Sequence, residues 1–340
     1  MNTIGHATGE QVKAFCARIG KDPLLVQGAG GNVSWKDGDI LWVKASGTWL
    51  AQAETHNIFI PVDYAHLQQE LTNKNFSVKP RVLSNSKLRP SIETLLHALM
   101  PHKVVVHLHA IEILAHLVRE NPIEDIKKLV SGTFKWVFVE YFKPGEDLAQ
   151  SIASQLVRQP DTDVVFLKNH GVVIGGGNIE SINQKLDKLL LLLGNKFSQY
   201  SMDCDHVTLN SEFLVSGYVP CSDHEVNKLA TKNELASRLK SEWVLYPDHV
   251  VFLGEKAFVV EKISDLNDSV GSLIQPIFIF VLGQGVLESK MVTDAQKVQL
   301  RCYYDVLIRQ SQSENLHSLT GDNIAELLDW DAEKYRQKCL

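Results

Sequence analysis

Two histidines with one leucine between them close the apolar run VVVHLHA, residues 104–110. Side chains alternate along a strand, so His107 and His109 point to the same face with Leu108 behind them. Two imidazoles at that spacing can grip one cation, or each can be an interior histidine bonded to a carbonyl. His170 stands at the end of a second strand-like run, in FLKNHGVVIGGG, just before Gly171. The turn there is expected to expose its ring. Three imidazoles from two strands would leave a coordination position open for substrate, the pattern of catalytic rather than structural metal sites. Glu93, in RPSIETLLH, is expected on the first turn of the helix leading into the histidine strand. A carboxylate there serves as a cap to the helix dipole or, beside a metal, as a general base at carbon. QGAGGNVS, residues 27–34, does not open a helix, so it is not a dinucleotide loop. Its glycines, Gly31 among them, can bare backbone N–H groups to an anion, and Asn32 can add its amide. Ser46 and Gly47 in KASGT offer a second such cluster, and both stretches also fit ordinary tight turns.

The elements that must position these residues follow from periodicity. Residues 7–20 show helical spacing ended by a glycine. NVSWK and ILWVKAS flank DGD, a hairpin signal. IFIPV reads as a strand before the helical DYAHLQQEL, and the helix expected in RPSIETLLHALM precedes the histidine strand. AIEILAHLV is helical, FKWVFVEYF a strand, GEDLAQSIASQLVRQ a helix, and DVVFLKNHGVVIGGG a strand, turn and strand. A long amphipathic helix opened by Asn178 follows, its leucine run suited to a core or a subunit contact. SGYVPCSDHE, residues 216–225, reads as a linker. Beyond it, VNKLATKNELASRLKS reads as a helix, HVVFLG, KAFVVE and IFIFVLG as strands, DAQKVQLRCYYDVLIRQSQ as a helix and DNIAELLDWDAEKYRQK as a terminal helix. The expected fold class is α/β: a largely antiparallel sheet with helices packed on it over 1–215, and a smaller C-terminal α/β unit over 216–340.

The 340 residues carry a formal net charge of -6, and no Lys/Arg-rich tract speaks for nucleic acid. Five scattered cysteines without a CxxC pair fit free thiols in a reducing compartment. No apolar leader opens the chain, and IQPIFIFVLGQGVL is too short and interrupted to span a bilayer. The expectation is a cytoplasmic protein with no membrane and no nucleic-acid partner. Of the remaining histidines, His97, His102, His116 and His249 read as structural, with His97 and His249 as the two that could reach a pocket.

GGNVSWKDGDILWVKASGT, RPSIETLLHALMP, HLHA and KNHGVVIGG, in this order, resemble the class II aldolase/adducin family of fuculose- and rhamnulose-phosphate aldolases. The resemblance spans roughly residues 8–200. RPSIET, YPDHVVFLG and the C-terminal segments look like the aldolase half of the bifunctional rhamnulose-phosphate aldolase/alcohol dehydrogenases. The resemblance implies a three-layer α-β-α sandwich and a divalent metal on His107, His109 and His170, with zinc first and manganese or cobalt also suited. It implies Glu93 as acid/base, Gly31, Asn32, Ser46, Gly47 and Ser91 at a phosphate site, and Tyr141 as a proton carrier contributed across a subunit boundary. Ile92 fills the place of a second family serine, which puts the substrate phosphate in question. The implied activity is reversible aldol cleavage of a ketose, as a ketose 1-phosphate, to a dihydroxyacetone-type product and an aldehyde through a metal-stabilised enediolate. Epimerases, decarboxylases and dehydratases share such a site, and an adducin-like scaffold without chemistry is the reading of another class. The implied partners are a small sugar or sugar phosphate and further copies of the chain, as a tetramer.

Overall fold

The computed structural model describes residues 3–194, 209, 216–265 and 275–338. Helix α1 (Thr3–Ile19) leads into a hairpin of β1 (Asn32–Asp37) and β2 (Ile40–Lys44), followed by β3 (Phe59–Asp63) and α2 (Tyr64–Thr72). The hairpin closes through Gly38 and Asp39, and Gly38 takes the positive φ of 57° that such a tight loop needs. Next come α3 (Thr94–Leu99), β4 (Val104–Leu108), α4 (Ile111–Leu117), α5 (Pro122–Val130), β5 (Trp136–Val139), α6 (Glu146–Arg158), β6 (Val164–Leu167), β7 (Gly171–Gly176) and α7 (Ile179–Leu193). Asn178 caps α7, its side chain accepting from the Ser181 N–H at 2.9 Å.

The seven strands form one sheet in the order β3-β2-β1-β4-β7-β6-β5. Every pairing is antiparallel except β5 with β6, which α6 joins as a crossover. Alternation along β4 sorts the layers. Val104, Val106 and Leu108 face a core shared with α1, α4, α5 and α7. Val105 faces the opposite core, with Leu96 and Met100 at α3 and Leu148 and Ile152 of α6. Helices therefore cover both faces, giving the three-layer α-β-α arrangement. His107 follows Val105 on the α3 face, so the start of α3 faces the histidine strand. Register does the rest: Asn32 pairs with His107 across β1 and β4, and Leu108 pairs with Val172 across β4 and β7.

The second unit holds β8 (Tyr218–Pro220), α8 (His224–Thr231), α9 (Asn233–Ser241), α10 (Pro247–Leu253), β9 (Phe258–Val260), β10 (Phe278–Val281), β11 (Gly285–Ser289), α11 (Asp294–Leu307), α12 (Gly321–Leu328) and α13 (Asp331–Lys338). Its four-stranded sheet runs β8-β11-β10-β9. Its core includes Ile111, Leu114 and Val118, so α4 is packed from both sides.

Several local expectations change. HVVFLG is not a strand but lies in α10, because Pro247 starts a helix and all seven residues of α10 are buried between apolar neighbours. The run at 226–241 is split at Lys232 into two helices, and the terminal helix is split at Asp329. The expected linker contains the edge strand β8 and the start of α8. Cys16, Cys221 and Cys302 are buried free thiols, while Cys204 and Cys339 lie outside the described residues. No helix among the described residues is long and apolar enough to cross a membrane.

Candidate metal centre and active site

His107, His109 and His170 come together, one nitrogen from each lying within 4.8 Å of the others. Their rings are buried, so the expectation of an exposed His170 is corrected: the second unit covers the turn. Asn169, at φ 52°, donates its amide to the Leu245 and His317 carbonyls at 2.8 and 2.6 Å and ties that turn down. Gly171 is required beneath the cluster. A Cβ there would lie 2.4 Å from the Leu108 carbonyl oxygen and 3.1–3.2 Å from the rings of His109 and His107.

Tautomers follow from the partners. His107 Nδ1 lies 3.2 Å from the Val172 carbonyl oxygen, which can only accept, so Nδ1 carries the proton. His109 Nδ1 faces Asp248 Oδ2 at 3.4 Å and is likewise assigned the proton. Both Nε2 atoms are then bare lone pairs, yet they face each other at 3.1 Å. Two lone pairs at that distance repel unless a cation lies between them. Tetrahedral zinc with bonds of about 2.0–2.1 Å would separate its nitrogens by about 3.3 Å, close to this spacing. Burial, and then the neighbouring histidines, hold His107 well below the usual imidazole range and His170 at about 3, so both rings are neutral ligands without a proton to displace. Outer partners that fix ring orientation are the usual support of metal-binding histidines.

Glu93 is not on the first turn of α3 but is the residue before it, and its side chain makes no cap. It turns inward instead. Its Oε2 accepts the Asn32 amide at 2.7 Å and lies 3.5 Å from His107 Nε2, while Oε1 lies 3.5 Å from His170 Nε2. Oε1 has no hydrogen-bond donor among the described residues. Burial, opposed by His109, lifts the Glu93 carboxyl to about 7, a value suited to giving and taking protons near neutrality.

A small polar cavity opens beside this cluster, lined by Gly31, Asn32, Ser46, Gly47, Ser91, Glu93, His109 and His170. The two glycine loops are drawn together by the buried Lys44, whose Nζ donates to the Ala29 carbonyl at 3.0 Å and the Thr48 carbonyl at 2.6 Å. Ser91 N–H donates to the Lys44 carbonyl and Ser46 N–H to the Arg89 carbonyl, which sets the three polar stretches side by side. Ile92 also lines the cavity.

Tyr141 is not among the residues lining this cavity. Its ring packs against the core of the second unit, and its buried hydroxyl lacks a hydrogen-bond partner among the described residues. His97 bonds Ser34 Oγ at 2.8 Å, His102 lies 3.3 Å from Asp163, and His116 lies 3.0 Å from the Leu193 carbonyl oxygen. His249 is boxed by Trp243, Tyr246 and Tyr303. Its neighbour Asp248 is the residue that sequence reading missed. Asp248 reaches His109 on one oxygen and pairs with Arg336 on the other. Burial would raise its carboxyl, but Arg336 and His109 hold it well below the usual carboxylate range. Arg336 and Glu333, from α13, also line the cavity. No sequence motif marks these two, since both sit in an ordinary charged helix.

The profile of the Class II Aldolase and Adducin N-terminal domain family matches residues 10–189, the stretch that carries the three histidines, Glu93 and both glycine loops. The chain belongs to this family. Among curated proteins it is 30% identical over 183 residues to an uncharacterized oxidoreductase, YuxG, of Bacillus subtilis (strain 168), a match covering 49% of this chain and 26% of that one. The chain thus aligns with about a quarter of that relative's length. It is 24% identical over 186 residues to a methylthioribulose-1-phosphate dehydratase of Penicillium rubens, covering 48% of this chain and 75% of the relative. The solved N-terminal class II aldolase domain of a Thermoplasma acidophilum protein is 25% identical, with a TM-score of 0.44, over 54% of this chain and 89% of that one. An L-fuculose-1-phosphate aldolase from Thermus thermophilus is 15% identical, with a TM-score of 0.37, over 55% and 93%. The family includes both aldolases and dehydratases, and its aldolases are metal-dependent.

Proposed function

We propose that this chain is a metal-dependent class II aldolase that cleaves, reversibly, a ketose or ketose 1-phosphate to a dihydroxyacetone-type product and an aldehyde. The carrying observation is the pair of bare Nε2 atoms of His107 and His109 at 3.1 Å, with Glu93 turned toward the same point. His107, His109 and His170 would hold the cation, with zinc first and manganese or cobalt also suited. When bound, a divalent cation supplies Lewis-acid stabilisation for negative charge developing on substrate oxygens. Glu93 takes and returns the proton at the nucleophilic carbon, and Asn32 holds its carboxylate in place. Gly31, Asn32, Ser46, Gly47 and Ser91 receive the anionic end of the substrate with backbone N–H, amide and hydroxyl donors. Ile92 removes one donor from that end, so unphosphorylated ketoses belong in the assay beside the phosphates. To act as the proton carrier for the cleaved hydroxyl in another copy's site within a tetramer, Tyr141 would have to leave the core of the second unit, where its hydroxyl is buried. We divide the chain at about residue 215, because the second sheet spans 218–289, although the second unit shares its core with α4 of the first.

Dehydration of a sugar phosphate is the second reading, favoured by the similarity to methylthioribulose-1-phosphate dehydratases. It shares the enolate but not the order of steps: a base takes the proton from the carbon beside the ketone and the β-hydroxyl leaves as water, whereas aldol cleavage takes the hydroxyl proton, breaks the C–C bond and returns a proton to carbon. Product analysis on ketose 1-phosphates, free ketoses and 3-keto acids separates the two from each other and from decarboxylation. His109→Ala is expected to lose the metal, and Glu93→Gln to keep it while losing about 10²–10⁴ in turnover. One metal per chain in His109→Ala refutes the ligand set. Wild-type protein that purifies metal-free from rich medium favours the adducin-like scaffold.

A further inference from the structure

Helix α13 closes one side of the cavity, and it is held there in an unusual way. Glu333 alone among its eight residues is buried. A helix normally docks through an apolar stripe. Here the attachments are polar: Arg336 pairs with Asp248, its guanidinium lies over the Phe252 ring at 5.2 Å, and Gln337 donates to the Val251 carbonyl. Arg89 sits over the Tyr335 ring at 4.3 Å. Such a helix has little hydrophobic burial holding it down, so it belongs to the readily opened part of the fold.

The second observation is Glu333 itself. It is 2% exposed and lines the cavity, yet neither carboxylate oxygen has a hydrogen-bond donor among the described residues. Its one ion pair, with Arg336 Nε at 3.1 Å, is not aligned as a hydrogen bond, and Arg336 is already shared with Asp248. A buried carboxylate without donors is costly, and such a cost persists where function needs the group. A carboxylate can only accept, so it calls for hydroxyl donors and repels a phosphate. The glycine loops supply donors, which suit an anion, and Glu333 supplies acceptors.

We propose that α13 is a lid whose inner face recognises substrate: Glu333 accepts hydrogen bonds from the hydroxyl groups of a polyhydroxylated ketone, and Arg336 latches the helix through Asp248. The recognition role rests on the ketose reading above; the latch does not. Glu333 is a specificity residue in the wall of the cavity. Arg336 is a positioning residue. Because Asp248 also faces His109, closing the lid fixes the orientation of one histidine of the cluster.

The test uses the full chain loaded with zinc. Amide hydrogen exchange is read over 331–338, and dihydroxyacetone, the probe, is titrated by calorimetry. Arg336→Gln is expected to speed exchange in 331–338 by tenfold or more while β4 stays protected. Unchanged exchange overturns the latch. Glu333→Gln is expected to slow that exchange, since a buried charge is removed, and yet to bind dihydroxyacetone about tenfold or more weakly, the scale of a charged hydrogen bond. A merely structural Glu333 predicts the slower exchange with unchanged binding, and that result overturns the recognition role. Zinc-loaded wild-type protein that does not bind dihydroxyacetone overturns the ketose reading and recognition by Glu333 together, while the exchange measurement still judges the latch.

Discussion

Gly171→Ala adds one methyl group at the joint of the candidate site. The new Cβ would lie 2.4 Å from the Leu108 carbonyl oxygen. Even a close C–H···O contact needs about 3.3 Å, so strands β4 and β7 must part by about 0.9 Å. The neighbours are backbone on one side and the two imidazoles on the other, at 3.2 Å to His107 Cε1 and 3.1 Å to His109 Cδ2. No flexible side-chain end is available to yield. Overpacking of this kind costs about 1–3 kcal/mol. The larger effect is on geometry, because metal sites tolerate about 0.2 Å in ligand distance. An affinity loss of a hundredfold or more is the expected result. At free zinc one hundred times the wild-type Kd, bound metal stabilises the fold by about 2.7 kcal/mol, and most of that vanishes in the variant. The assay is thermal unfolding with and without zinc, together with metal content by elemental analysis. If Gly171→Ala holds one zinc per chain and shows the wild-type zinc-dependent rise in Tm, the tertiary argument for this glycine and for a metal between His107 and His109 is wrong.

Asp248→Asn weakens the hold on His109 and removes the charge that pairs with Arg336; zinc affinity is expected to fall about 10–100-fold, measured by competition with a chelator. Asn169→Ala leaves the Leu245 and His317 carbonyls without their donor, and a loss of about 2–4 kcal/mol is expected in urea unfolding. Acid sensitivity follows from the buried neutral histidines. Burial holds His249 at about 3 and, with Arg119, His116 at about 4. Below about pH 6.5 the unfolded chain binds protons that the folded chain refuses, so stability is full above that pH and falls as pH drops toward 4. For His249 the loss between pH 7 and pH 5 is about 2 kcal/mol. His249→Phe should flatten that part of the pH–stability curve of the metal-free protein, and an unchanged slope refutes the assignment.

Local signals fared unevenly, for reasons visible in particular residues. The β1–β2 hairpin, the histidine strand and the capped helix at Asn178 are legible because their patterns are set by neighbours a few positions away. HVVFLG misled because a short buried apolar run does not distinguish strand from helix, and packing on both sides decided for helix α10. Glu93 is recognisable as an acid at a helix start, but its inward turn depends on Asn32, sixty-one positions earlier.

From the sequence alone came the identity of the three imidazoles, the glutamate and the glycine loops, because period-two alternation and glycine content are local properties of the chain. Tertiary structure alone decided that His170 meets the other two, that Asp248 backs His109, and that Glu333 and Arg336 complete the cavity. Those groups are brought together by sheet register and by the packing of a second unit over the first, and contacts between residues 61 to 139 positions apart leave no periodic trace in the chain.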